Sequence, residues 1–100
     1  SAKAALIGMT RTLCLELGAD GITINAVAPG PVASELFDHG HPLGSAKRQL
    51  VIDSIPVKRV GTPDDVARAV AFLLAPDSGY ITGQTLFVCG GTSVSGSGGA

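Results

Sequence analysis

Ile22-Thr23-Ile24-Asn25-Ala26-Val27-Ala28-Pro29-Gly30-Pro31 is the stretch that decides the fold. Ile22 to Val27 is β-branched and alternating, the period-2 signature of a strand. Pro29-Gly30-Pro31 ends it abruptly, because proline cannot donate to a ladder and glycine has no side chain to pack. Upstream, Ala2 to Leu17 carries Ala5, Leu6, Met9, Leu13 and Leu17 at helical spacing, closed by Gly18, a residue suited to the left-handed cap position. Ile7, Cys14 and Leu15 spread the apolar character to other faces, so this helix is expected to be covered on more than one side. One side would pack on a sheet and another on a partner helix from a second subunit. Asp20-Gly21 makes the turn between helix and strand.

Downstream, Thr62-Pro63-Asp64-Asp65 is a strong helix start, with a capping hydroxyl, proline at the first helical position and two acids at the positive end of the dipole. Val66, Val70, Leu73 and Leu74 supply its inward stripe, and Ala75-Pro76 stops it. Ile81-Thr82-Gly83-Gln84 reads as a loop. Thr85-Leu86-Phe87-Val88-Cys89 is an apolar run of the kind found in parallel strands covered on both faces, ended by Gly90-Gly91. The order helix, strand, long connection, helix, strand predicts an α/β fold with parallel crossovers. Two strands alone leave apolar, unpaired edges, so the segment is expected to be an incomplete domain.

Between the strand end and the second long helix, Ala33 to Pro56 is punctuated by Gly40, Pro42 and Gly44. Ser45 is placed to cap a short helix carrying Leu50 and Val51 inward. A connection of this length after a strand end is a candidate substrate lid. Ser93 to Ala100 is rich in Gly and Ser and is expected to fray.

Composition excludes several functions. Of 100 residues, 45% are hydrophobic and 15% charged, with a net charge of −1, which describes an ordinary globular chain. No basic block exists to neutralise phosphates, so a nucleic-acid partner is not expected. No apolar stretch approaches the ~20 residues of a bilayer crossing. The start lacks the basic, apolar and cleavage regions of a secretory signal, which makes the cytoplasm the expected compartment. Cys14 and Cys89 lie in apolar runs and read as small buried hydrophobes in a reducing environment. His39-Gly40-His41 lacks a third ligand at zinc spacing, so no metal is expected and both His read as solvated loop residues. Tyr80 has no hydrolase motif around it and reads as a packing residue with a wet hydroxyl.

Lys3, read together with Asn25-Ala26-Val27-Ala28-Pro29-Gly30-Pro31-Val32-Ala33-Ser34, resembles the short-chain dehydrogenase/reductase family. Arg59-Val60-Gly61-Thr62-Pro63-Asp64-Asp65-Val66-Ala67, Ile81-Thr82-Gly83-Gln84 and Gly90-Gly91 match further patterns of that family at their usual spacing. The matches cover nearly all of the chain except the lid and tail, and are most like 3-oxoacyl-carrier-protein reductases and related alcohol or sugar dehydrogenases. The resemblance implies the C-terminal part of a Rossmann-like doubly wound parallel sheet, beginning just after the Tyr of a Tyr-x-x-x-Lys motif.

The roles that follow are implied by this resemblance. Lys3 is the catalytic Lys that tunes the Tyr and holds the nicotinamide ribose of NAD or NADP. Pro29 and Gly30 frame the nicotinamide, the Val32 backbone binds its carboxamide, and Ser34 stands where the family usually has Thr. Leu36, Phe37 and Leu50 belong to the lid over a small carbonyl or alcohol substrate. A homo-tetramer or homo-dimer is the expected assembly. Cys89 stands where the family commonly has Asp, which removes a charge from that corner. No Gly-rich strand-to-helix turn for a pyrophosphate occurs in these 100 residues. The rival expectation is therefore an inactive fragment or scaffold that serves subunit association or cofactor binding.

Overall fold

The computed structural model describes residues 1–95. The chain divides into two compact units, Ser1–Val27 with Arg68–Leu86, and Ala28–Ala67 with the residues from Phe87 onward.

In the first unit, the Ser1 hydroxyl accepts from the Ala4 N–H at 3.2 Å and starts α1 (Ala2–Leu17). The half-covered and buried positions of α1 include Lys3, Ile7, Thr10, Cys14 and Leu17, spaced as one face of a helix. Ala5, Leu6, Met9 and Leu15 are exposed, so the covered stripe is rotated from the one the apolar spacing predicts. Thr10, the only buried residue of α1, satisfies its hydroxyl by donating to the Leu6 carbonyl at 2.8 Å.

Gly18 does not take the left-handed conformation. Its φ is −59° and its N–H still reaches the Cys14 carbonyl, so the chain runs on through a 3₁₀ turn (Gly18–Asp20). The left-handed residue is Gly21, at φ 76°.

The first strand, β1, covers Ala26–Pro29 rather than starting at Ile22. Asn25 and the residues before it are tied to the loop 81–84 in another way. The Ile24 N–H donates to Thr82 Oγ1 at 3.0 Å, and the Gly83 N–H donates to the Ile24 carbonyl at 2.7 Å. The Asn25 side chain donates to the Ile81 carbonyl at 3.0 Å and accepts from the Gln84 N–H at 3.1 Å. A side-chain amide thus occupies the place of a ladder bond, and the strand begins only where backbone pairing takes over.

The partner strand is β2 (Thr85–Val88). The Ala26 N–H donates to the Gln84 carbonyl and the Gly30 N–H to the Val88 carbonyl, both at 2.9 Å. Residue numbers climb together along the two strands, so the pair is parallel. Leu86 and Phe87 stay more than a third exposed, so the expected cover on both faces of β2 is not supplied by the described residues. A groove of about 330 Å³ in the first unit, lined by Ile24, Val27, Val70, Leu73 and Leu74, is likewise open. Leu74, expected inward, is 77% exposed. The helix α4 (Pro63–Leu74) ends there, and the chain makes a 3₁₀ turn at Pro76–Ser78, where buried Ser78 donates to the Phe72 carbonyl at 2.5 Å. Tyr80, expected to pack, is fully exposed among the described residues.

The second unit holds the end of β1, the lid helices α2 (Glu35–Gly40) and α3 (Ala46–Ser54), the start of α4, and α5 (Thr92–Ser95). Ser45 caps α3 as expected, accepting from the Arg48 N–H at 3.1 Å, but Leu50 is 71% exposed and not inward. α2 is unforeseen in the sequence. Ile55, 1% exposed, is the most deeply buried apolar residue described. The tail expected to fray starts with a helical turn, since α5 takes in Ser93, Val94 and Ser95; residues 96–100 of that tail lie outside the described residues.

The start of α4 is a reciprocal cap. The Asp65 N–H donates to Thr62 Oγ1 at 3.1 Å, and the Thr62 N–H donates to Asp65 Oδ2 at 2.8 Å. Arg59 adds a 2.8 Å ion pair to Asp65 Oδ2. The Arg59 hydrogen bond, then the Thr62 N–H, hold the Asp65 carboxyl well below the usual carboxylate range. An unfolded Asp titrates near 3.9, so this stabilisation is complete above about pH 5 and is lost as pH falls through about 4 toward the folded value. Urea midpoints from about pH 6 down to about pH 2 should therefore fall more steeply for the native chain than for Asp65→Asn. Parallel curves would show the cap to be energetically silent.

Candidate functional site

Pro29 closes β1, and the next residues leave the sheet for a second pairing. The Ala33 N–H donates to the Gly61 carbonyl and the Gly61 N–H to the Pro31 carbonyl, both at 2.9 Å, making a parallel bridge between Val32 and Gly61. In such a bridge the flanking residues Pro31 and Ala33 supply the bonds, so the N–H and carbonyl of Val32 itself point away from Gly61. The Val32 carbonyl accepts from the Ser34 N–H at 2.8 Å. The Val32 N–H takes no part in the bridge and lies just past the carboxyl end of a parallel strand, the end at which open α/β sheets bind their ligands.

Ser34 has a role the sequence reading missed. Its hydroxyl oxygen accepts from the Phe37 N–H at 3.2 Å and caps α2, leaving its own proton to donate elsewhere. Gly30 is fixed by close approach. A Cβ there would lie 2.9 Å from both the Cα and the Cβ of Cys89. Gly30, Val32 and Ser34 thus share one continuous ledge in the second unit, with exposed Pro29 at its start.

The lid residues have distinct surroundings. Leu36 is 84% exposed and Leu50 is also open, whereas Phe37 is half-buried and stacked on His41 at 4.3 Å between ring centroids. The Arg48 guanidinium lies 5.3 Å from the Phe37 centroid and donates to Asp38 Oδ1 at 2.8 Å and to the His41 carbonyl at 3.0 Å. This cluster ties α2 to α3. His39 is exposed, as expected, but on α2 and not in a loop, whereas His41 caps α2 and is half-covered in a ring stack. No group of three His, Cys, Asp or Glu side chains able to hold a metal occurs among the described residues. Periodicity gives no hint of this cluster, since it joins residues through a ring stack and a long Arg side chain.

Lys3 stands in the first turn of α1 in the first unit, half-covered, on the same face as Ile7 and Thr10. It is not on the exposed side of the helix, where an ordinary solvated lysine would be found.

The parallel strand pair in a helix–strand alternation is that of a Rossmann-like fold, and comparisons with known proteins give the family. Residues 1–93 match the family described as Enoyl-(Acyl carrier protein) reductase. The chain is 50% identical over 93 residues to (2S)-[(R)-hydroxy(phenyl)methyl]succinyl-CoA dehydrogenase subunit BbsC of Thauera aromatica, covering 93% of this chain and 35% of that protein. It is 48% identical over 91 residues to the 3-oxoacyl-[acyl-carrier-protein] reductase FabG of Rickettsia prowazekii, covering 91% of this chain and 36% of the relative. Among solved structures, a blue fluorescent protein from a metagenomic library in complex with NADPH superposes with a TM-score of 0.80 at 39% identity, over 92% of this chain and 36% of that one. The chain belongs to the short-chain dehydrogenase/reductase family. It spans little more than a third of the length of the curated relatives it matches.

Proposed function

We propose that this chain is the C-terminal portion of an NAD- or NADP-dependent oxidoreductase that interconverts a carbonyl compound and a secondary alcohol. The observation that carries the reading is the Val32 N–H, left out of the bridge to Gly61 and two residues before the Ser34 hydroxyl, just past the carboxyl end of β1. A nicotinamide carboxamide oxygen needs donors, and this ledge offers two, the Val32 N–H and the Ser34 hydroxyl, beside a backbone already held at Gly61. Gly30 sets the position of the ledge, because without a side chain the strand end packs directly on Cys89. The residues present therefore fit a nicotinamide.

When bound, the nicotinamide cofactor supplies or accepts the hydride. Lys3 lies on the covered face of α1, and a tyrosine four residues earlier on that helix would share its face. An ammonium near a phenol favours the phenolate, which lets such a tyrosine give or take the substrate proton near neutral pH. Lys3 also holds the cofactor ribose. The lid covers the substrate, with Leu36 and Leu50 offering apolar surface and Phe37 serving as its internal anchor. 3-Oxoacyl thioesters are the first substrates to try, in keeping with the similarity to FabG-type reductases. The open apolar surface of β2 and of the first unit supports an incomplete domain.

Exposed Leu6, Met9 and Leu15 on α1 favour a second role in subunit association, as a homo-dimer or homo-tetramer, which an inactive scaffold would also show. No helix among the described residues is long and apolar enough to cross a membrane. The test is oxidation of NADPH and of NADH by the full-length protein in the presence of acetoacetyl-CoA and a panel of ketones. Turnover with any of them is the expected result; binding of NADPH without turnover would favour the scaffold, and neither binding nor turnover would end the proposal.

A further inference from the structure

Cys89 is a nucleophile that the oxidoreductase reading leaves unused. It follows β2, and the two glycines after it have φ of 63° and 99°, which turn the chain back so that α5 starts at Thr92. The turn brings the groups of residues 91–93 round the sulphur. As a thiol, Cys89 Sγ donates to Ser93 Oγ at 3.3 Å. As a thiolate it would instead accept from the Ser93 hydroxyl.

A second observation concerns Thr92. It is 1% exposed, and its Oγ1 has no hydrogen-bond partner among the described residues. A buried hydroxyl normally finds a partner, and one that lacks it is costly to the fold. The Thr92 hydroxyl lies within the influence of the Cys89 sulphur, where an anion would give it an acceptor. The Ser93 hydroxyl and N–H, then the Gly91 N–H and the Thr92 hydroxyl, lower the Cys89 thiol from its ordinary value to about 7 against the opposing effect of burial. A third observation is access. Cys89 lines a cavity of about 170 Å³ together with Pro31, Val57, Arg59 and Gly90. Cys14 provides a comparison within the chain, since its sulphur donates to the Arg11 carbonyl at 3.1 Å on α1.

We propose that Cys89 is a thiol–disulfide exchange site that takes a small-molecule disulfide at the cavity it lines. The Cys89 proton passes to solvent, and the thiolate attacks one sulphur of the disulfide. A bond forms between Cys89 Sγ and that sulphur, the original S–S bond breaks, and its electron pair leaves with the other half, which takes up a proton. Cys89 is oxidised to the disulfide level while the small disulfide is reduced to one thiol. The site is independent of the nicotinamide assignment.

The test uses the full-length protein with oxidised glutathione near pH 7, read by intact mass and peptide mapping. A mixed disulfide on Cys89, absent from Cys14 and removed by dithiothreitol, is expected. The pH profile of Cys89 alkylation by iodoacetamide should have its midpoint near 7, below the ordinary thiol value of about 8.5. Thr92→Val should move that midpoint upward by about half a pH unit or more without lowering the Tm, because the hydroxyl it removes has no partner to lose. Cys89→Ser should fold and form no adduct there. A folded protein whose Cys89 gains no glutathione, equal labelling of Cys14, or a midpoint near about 8.5 that Thr92→Val leaves in place would each overturn the proposal.

Discussion

Lys3→Ala in the full-length protein is expected to lower kcat by about 10²- to 10⁴-fold, the range over which a positioned acid or base acts. Two functions of one ammonium are removed together, the electrostatic support of a phenolate and the hold on the cofactor ribose. Cofactor binding should weaken in parallel, by about tenfold or more, as expected when a charge-assisted hydrogen bond is lost. The fold gives little reason for the variant to misfold. Ala is the best helix former, so the substitution does not weaken α1 itself. Lys3→Arg should bind cofactor better than Lys3→Ala while recovering little turnover, because the planar guanidinium places its charge differently. Near-normal kcat in Lys3→Ala, with an unchanged Tm, would remove Lys3 from the site.

Gly30→Ala is the second large effect, and its cause is steric. The new methyl would sit 2.9 Å from Cys89 Cα and Cβ and 3.3 Å from the Cys89 carbonyl oxygen, so it meets backbone and not the end of a flexible side chain. Moving the strand ends apart would stretch the 2.9 Å bond from the Gly30 N–H to the Val88 carbonyl. The partner side cannot easily yield, because Cys89 leads into the Gly90–Gly91 turn, where a Cβ on Gly90 would itself meet Ile55 and Val57. Overpacking of this kind costs about 1–3 kcal/mol, visible as a Tm lowered by several degrees. Cofactor affinity should fall further than stability alone explains, since the ledge of Val32 and Ser34 begins at Gly30. A variant with native Tm and native NADPH affinity would contradict both the packing and the assignment.

The sequence reveals those parts of this structure that depend on local chemistry. Thr62, Pro63 and Asp65 announce the start of α4 because each acts within one helical turn, and the observed bonds are the ones those side chains favour. Pro29-Gly30-Pro31 announces the end of β1 for the same reason. The start of β1 is hidden, because Asn25 replaces a ladder bond with side-chain bonds to residues 56 and 59 positions away. The covered face of α1 is hidden too. Every face carries apolar residues, so periodicity does not pick out the stripe through Lys3, Ile7 and Thr10. Gly18 misleads because an αR glycine looks identical in sequence to a left-handed one.

Within the candidate site, Gly30 and Val32 are legible through a motif, whereas the capping role of Ser34 and the Arg48 cluster depend on the lid's own folding. Cys89 reads as a small hydrophobe until the following turn surrounds it with donors.

A structure of the full-length protein bound to NADPH is the most direct test of the central claim, that the strand-end ledge of Val32 and Ser34 holds the nicotinamide. The Lys3 Nζ is expected within about 3 Å of the ribose hydroxyls, and the Val32 N–H within about 3 Å of the carboxamide oxygen. A nicotinamide bound away from both, with Lys3 turned to solvent, would contradict it.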